Sequence, residues 1–163
     1  MITDMATVKI LGGLYTIAGS GAPDESTEGS VGDIWLDTDS DSESYGNSYL
    51  LTGITEGEES DTYNWERDTT DERRIELYIK RAEQDYLRIR NRAFEVDDAG
   101  QTVYPDGSDI VAAEMACFLM GIYDGRGEDS GSIGDRSSTY EKKLHGYLYS
   151  IVGQIERFIG VGL

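Results

Sequence analysis

Between Ile110 and Ile122 the chain is apolar nearly all the way round, with Ile110, Val111, Ala112, Ala113, Met115, Ala116, Phe118, Leu119 and Met120 broken by a single charge, Glu114. A helix of this composition has no stripe to give to water, so it must be covered on most of its sides. It is also too short to cross a bilayer. Two further helices are predicted around it. Thr69 and Glu72 have capping-box spacing, and from there Ile75, Ile79, Ala82, Tyr86, Ile89 and Ala93 recur at steps of three and four, giving one apolar face. Glu76 with Lys80 and Arg81 with Asp85 are spaced as i,i+4 pairs on the wet side. Ser138 and Glu141 form a second capping box. Beyond it Leu144, Leu148, Ile151, Ile155 and Phe158, widened by Val152 and Ile159, mark the seam of a last amphipathic helix. Asp106 or Ser108 is placed to cap the apolar helix. Residues 95–107 read as a loop with a short strand pair around Asp98-Ala99-Gly100, and residues 124–136 as a long glycine-rich loop.

The first 68 residues are a different material. They hold 15 acids and 2 bases, against 17 acids and 12 bases in residues 69–163. Val8, Ile10, Leu14, Tyr15 and Ile17 suggest β structure broken at Gly12-Gly13. Three strands are expected, in "GDIWLDTD", "NSYLLTGI" and "TYNWER", joined by Gly, Asp and Ser turns. In the first of these, alternation sends Ile34 and Leu36 one way and Trp35 and Asp37 the other. The expected unit is a small antiparallel module that lacks the apolar residues for a strong core and therefore leans on something else, such as a neighbouring subunit. The fold class expected is mainly α: a domain of three main helices over residues 69–163, preceded by an acidic β-rich arm or module over residues 1–68.

A net charge of −18 argues against ordinary nucleic-acid binding, which needs Lys and Arg to displace counterions. It suits a solvated acidic surface or a wall past which DNA slides. Cys117 is the only cysteine and reads as core filling. His145 is the only histidine and receives no chemistry. No signal peptide is expected from the N-terminal residues. Asp37, Asp39, Asp41 and Glu43 alternate like the opening of a calcium loop. Ser42 and Ser48 stand where such a loop needs Gly and Glu, so a plain acidic turn is favoured and no metal or other cofactor is expected. Glu114 reads as structural, paired with Arg74 or Arg81 or facing a subunit boundary. The glycines of 121–134 lack the phosphate-loop pattern.

The helical half resembles the phage head–tail connector family, the adaptor or head-completion proteins. The resemblance is carried by "IELYIKRAEQDYL", by "YPDGSDIVAAEMACFLMG", and by "SIGDRSSTY", where Gly134, Asp135, Ser137 and Tyr140 match a recurring pattern; it covers about residues 71–160. Residues 21–65 resemble a segment of phage fibre and surface proteins through Gly21, Pro23, Gly29, Gly32, Asp33, Trp35, Asp37, Thr38 and Trp65. The resemblance implies a non-enzymatic virion protein of the neck, made in the host cytoplasm. It would form a ring, commonly of twelve copies, beneath the portal protein and join it to a tail, stopper or neck protein. DNA would pass through without specific binding, and no membrane would be involved. Candidate interface residues are Trp35 and Trp65 in the module, Ile133, Arg136, Tyr140, Lys142 and Lys143 around the glycine loop, and Phe158 and Leu163 in the apolar end "FIGVGL", which is expected to dock on the portal. Two alternatives stand beside this: an acidic DNA mimic that inhibits a host nuclease, and a fibre-like adhesion module.

Overall fold

The computed structural model describes residues 1–58, 60–122, 143–144 and 146–157 of the 163-residue chain. These fall into two compact units, Met5–Glu76 and Met1–Asp4 with Leu77–Leu163. The protein is mixed α/β, not mainly α: among the described residues a four-stranded sheet and two small hairpins accompany four helices.

The unit Met5–Glu76 opens with α1 (Met5–Leu11) and continues through β1 (Ile17–Gly19), β2 (Ile34–Asp37), β3 (Ser48–Thr55) and β4 (Thr62–Asp68). The sheet order is β1-β2-β3-β4. The three expected strands are present and antiparallel, with Ile34 facing Leu50 and Leu51 facing Trp65. β1 adds a parallel partner to β2, with Ile17 opposite Trp35. Parallel neighbours need a crossover of a dozen or more residues, and residues 20–33, the glycine-rich segment, provide it.

The stretch read as β structure around Val8 and Ile10 is helical. Gly12 and Gly13 end the helix instead of breaking a strand: the Gly12 amide donates to the Val8 carbonyl at 2.9 Å, and Leu14 to the Lys9 carbonyl at 3.0 Å. Gly13 has φ 60°, a left-handed turn that suits glycine at a helix C-terminus. Only Ile17 of that group lies in a strand. The apolar residues that the strands lack come from this chain's own helices. Val8 of α1 and Ile75 of α2 (Glu72–Arg90) are fully buried, as are Leu36 and Leu51 of the sheet. Each such side chain contributes about 1.5–3 kcal/mol.

In the other unit, Ile79, Ala82, Tyr86 and Ile89 of α2 are buried as their spacing requires. Ala93 lies past the helix end and is exposed. Asp85 pairs with Arg88 at 3.0 Å, one turn on, rather than with Arg81. Glu72 does not reach back to Thr69; its carboxylate meets Arg67 at 3.0 Å. Next come β5 (Glu95–Val96) and β6 (Thr102–Val103), the expected strand pair. Their turn is held by the Asp97 carboxylate, which accepts from the Ala99 and Gln101 amides at 2.9 and 2.7 Å.

The apolar helix α3 (Ser108–Met120) buries Val111, Ala112, Ala113, Met115, Ala116, Cys117 and Met120. Its N-cap is Gly107, with φ 75° and no side-chain cap, so neither Asp106 nor Ser108 takes that role. Gly121, with φ 74°, closes the other end, where its amide and that of Ile122 donate back to Phe118 and Cys117.

The expected last helix is replaced by a hairpin, β7 (Lys143–Leu144) with β8 (Tyr147–Leu148), and a single turn, α4 (Tyr149–Val152). Gly146 turns the hairpin at φ 92°, a conformation that a helix cannot include. Leu148, Ile151, Val152 and Ile155 are buried regardless; their spacing reported burial correctly and secondary structure wrongly. The capping box Ser138–Glu141 lies outside the described residues. Tyr147 locks the hairpin down by donating its hydroxyl to Asp85 at 2.7 Å, beside Phe118. Tyr147→Phe removes a hydrogen bond to a charged acceptor while Arg88 stays on Asp85, so a loss of about 1–2 kcal/mol is expected. Faster hydrogen exchange of the α3 amides is the readout.

Candidate functional site

Three features of the described residues combine geometry with chemistry. The first is the tryptophan–glycine module around β2. The Trp35 indole donates to the Gly21 carbonyl at 3.0 Å and the Trp65 indole to the Thr27 carbonyl at 2.9 Å. The rings meet edge to face with centroids 6.2 Å apart. Gly19 lies directly under Trp35, and Gly29 lies against Trp65 and Leu51. Thr38 donates its amide to the Gly19 carbonyl at 2.9 Å. The spaced glycines, tryptophans and acids of residues 21–65 therefore form one structural network in which the polar atoms of both indoles are engaged inside the unit.

Asp37 is the centre of that network. Alternation placed it with Trp35 on the second face of the strand, and it is fully buried. Its carboxylate accepts from the Gly21 amide at 3.0 Å, the Asp39 amide at 3.0 Å and the Ser44 hydroxyl at 2.6 Å. Burial pushes its carboxyl up, and the donors around it, the nearby Ser42 hydroxyl with the bonded Ser44, Asp39 and Gly21, outweigh that and hold it below the usual carboxylate range. Asp39 likewise accepts from Ser20 at 2.6 Å and from the Asp41 amide at 3.0 Å. Asp37 and Asp39 are thus turned on to chain donors, and among the described residues no three His, Cys, Asp or Glu side chains gather as a metal set.

The second feature is a cavity of about 230 Å³ in the same unit, lined by Lys9, Leu14, Tyr15, Ile34, Asp68 and Glu72 among others. Lys9 is buried and donates to the Gly46 carbonyl at 2.9 Å, with Glu72 at 3.9 Å. Burial lowers its pKa, against the pull of Glu72. The amine is thereby committed to tying α1 to the end of the acidic loop and the start of α2.

The third feature is a groove of about 710 Å³ in the other unit, where α2 ends. Asn91, with φ 58°, stops the helix in a left-handed turn, which Asn tolerates better than most residues. The chain then folds Phe94 under the Arg90 guanidinium, 4.8 Å from the ring centroid. Buried Arg90 donates to the Arg92 and Ala93 carbonyls at 3.0 and 2.6 Å and so fixes the turn. Phe94 meets the edge of Tyr104 at 4.8 Å. Leu87, Arg88, Asn91, Arg92, Phe94 and Tyr104 line the groove. The Arg88 and Arg92 side chains are more than half exposed, each touching one acid, Asp85 and Glu95. On the adjoining β5–β6 hairpin, Val96 and Val103 are 62% and 50% exposed.

No protein-family model, curated protein or solved structure matches the chain. Its chemistry is therefore read from its own residues.

Of the sequence-derived interface candidates, Trp35 and Trp65 are brought together, and Lys143 lies in β7. Ile133, Arg136, Tyr140, Lys142, Phe158 and Leu163 lie outside the described residues. The groove residues were not singled out from sequence. Their signal was present all the same, since residues 86–94 contain three arginines and no acid in a chain of net charge −18. Cys117 is buried, its thiol pushed up to about 11 by burial and then by the Glu114 charge. That is the opposite of an activated nucleophile. Glu114 itself is half-buried on α3.

Proposed function

We propose that this chain is a structural adaptor of the phage neck, acting by contact between surfaces, and that it assembles into a ring beneath the portal protein and joins it to a tail or stopper protein. The observation that carries this reading is the arginine–aromatic groove. It presents exposed guanidinium groups and apolar side chains together on a strongly acidic chain, next to exposed Val96 and Val103. Aromatic residues and Arg are the types enriched in protein interfaces, and Arg with an aromatic platform is a frequent hot-spot combination. The buried, engaged states of Cys117, Lys9 and Asp37 are consistent with a protein whose reactive groups serve its fold. The acidity of residues 1–68 suits a channel wall that does not hold DNA.

The test is sizing with mass detection, with and without purified portal protein. A multimer that co-elutes with the portal is expected. A monomer that ignores the portal and blocks a nuclease would replace the adaptor with the DNA-mimic alternative.

A further inference from the structure

We propose that the arginine–aromatic groove receives the acidic tip of the β3–β4 hairpin from a second copy of this chain. This rests on the adaptor reading and names the contact by which copies join. The last rungs of the hairpin are Ile54 opposite Tyr63 and Thr55 opposite Thr62. Beyond them, residues 56–61 carry four acids and no base, a local charge of −4. Glu56, Glu58 and Asp61 are exposed, and Ile54 just behind them is 39% exposed. The tip therefore offers carboxylates in front of an apolar rung.

The groove has the complementary order. Arg88 and Arg92 stand exposed at the rim, Arg88 resting on Asp85 and Arg92 on Glu95, each guanidinium having more donors than one carboxylate uses. Leu87, Phe94 and Tyr104 line the groove beside them. Guanidinium groups pair with carboxylates through several donors at fixed angles, and the apolar rung of the tip meets the leucine and the two aromatic rings.

Groove and tip are different surfaces, so one copy can engage one neighbour through its groove and another through its tip, an arrangement that generates rings when the rotation closes. Opposite charge across the joint also opposes the general repulsion between chains of charge −18.

The experiment uses the full chain and sedimentation equilibrium at moderate salt. Arg88→Glu with Arg92→Glu, and separately Glu56→Arg with Glu58→Arg, are each expected to raise the self-association Kd at least tenfold. Mixing the two variants, or combining all four changes in one chain, is expected to restore association to within about threefold. Circular dichroism and tryptophan fluorescence check that each variant is folded. Self-association that tolerates both reversals, or that is lost without recovery on mixing, overturns the proposed contact and leaves the adaptor reading in place. A portal protein whose binding needs the groove arginines while self-association does not would also overturn it, by placing a different occupant there. A wild-type chain that stays monomeric at every concentration overturns both.

Discussion

Gly19→Ala is expected to destabilise the unit Met5–Glu76 by about 3 kcal/mol or more, far beyond the usual effect of adding one methyl group. The reason is steric. A Cβ at Gly19 would lie 2.0 and 2.2 Å from two ring carbons of Trp35, where no rotation of the methyl helps. Gly19 sits on β1 directly across from Asp37, its backbone fixed by the parallel pairing and by the Thr38 amide on its carbonyl. The backbone cannot retreat without breaking that pairing, so the indole must move. When it moves, Trp35 loses its hydrogen bond to Gly21 and its edge contact with Trp65. Lost aromatic packing adds about 0.5–1.5 kcal/mol to the buried area removed. The measurement is direct, because both tryptophans of the chain lie in this unit. Urea unfolding followed by tryptophan emission reports on it alone, and a midpoint unchanged from wild type would show that the Trp35–Gly19 stack does not hold the sheet together.

That stack also shows where sequence reasoning reached and where it stopped. The pattern of glycines, acids and tryptophans from Gly21 to Trp65 was legible as a unit, and so were the strands it contains, because alternation and turn residues are local signals. Gly19 was not legible, since its role depends on a ring sixteen positions away. α2 and α3 could be read from period and composition. The segment from Leu144 to Ile155 could not: an i, i+3, i+4 series records which residues are buried, and here a hairpin with one helical turn buries Leu148, Ile151, Val152 and Ile155 as a continuous helix would. The deciding residue was Gly146, whose positive φ outweighed the pattern. α1 failed in the opposite direction. Val8 and Ile10 are strand formers by propensity, yet the Gly12-Gly13 pair closes a helix that sets Lys9 beneath Gly46. The mainly-α expectation followed from the first of these misreadings, and the second worked against it.

The candidate site divides in the same way. Trp35 and Trp65 were visible because tryptophan is rare and the chain has two. The groove was passed over because three arginines at the end of a helix are also what the helix dipole favours. Only the fold shows that Phe94 and Tyr104 come back beside them. Asp37 was visible as one of four alternating acids, but its burial was not, because a strand position beside Trp35 gives no hint that three donors converge on it.

Asp37→Ala is expected to cost the same unit about 3–5 kcal/mol, the upper range for a single substitution. The change removes the acceptor from the Gly21 amide, the Asp39 amide and the Ser44 hydroxyl at a position closed to water. Each donor left without a partner costs about 1–3 kcal/mol; the sum is reduced where residues 39–46 can open and let water in. Asp37→Asn keeps one oxygen for the two amides and sets an NH2 group against the Ser44 hydroxyl, so a smaller loss is expected. The pH dependence separates the charge from the shape. The Asp37 carboxyl is held below its ordinary value of 3.8 when folded, so the unfolded chain binds the proton more readily. Its contribution is complete above about pH 3.8 and is lost as pH falls through the folded value. Asp24, Asp39 and Asp68 are lowered in the same direction and lie in the same unit. Acid unfolding detected by tryptophan emission should therefore begin in this unit below about pH 3.8, and the stability gap between wild type and Asp37→Asn should narrow over the same range. A gap that stays constant from pH 6 to pH 2.5 would mean that Asp37 acts through its shape alone and that the buried charge is not what closes residues 37–47 on to the sheet.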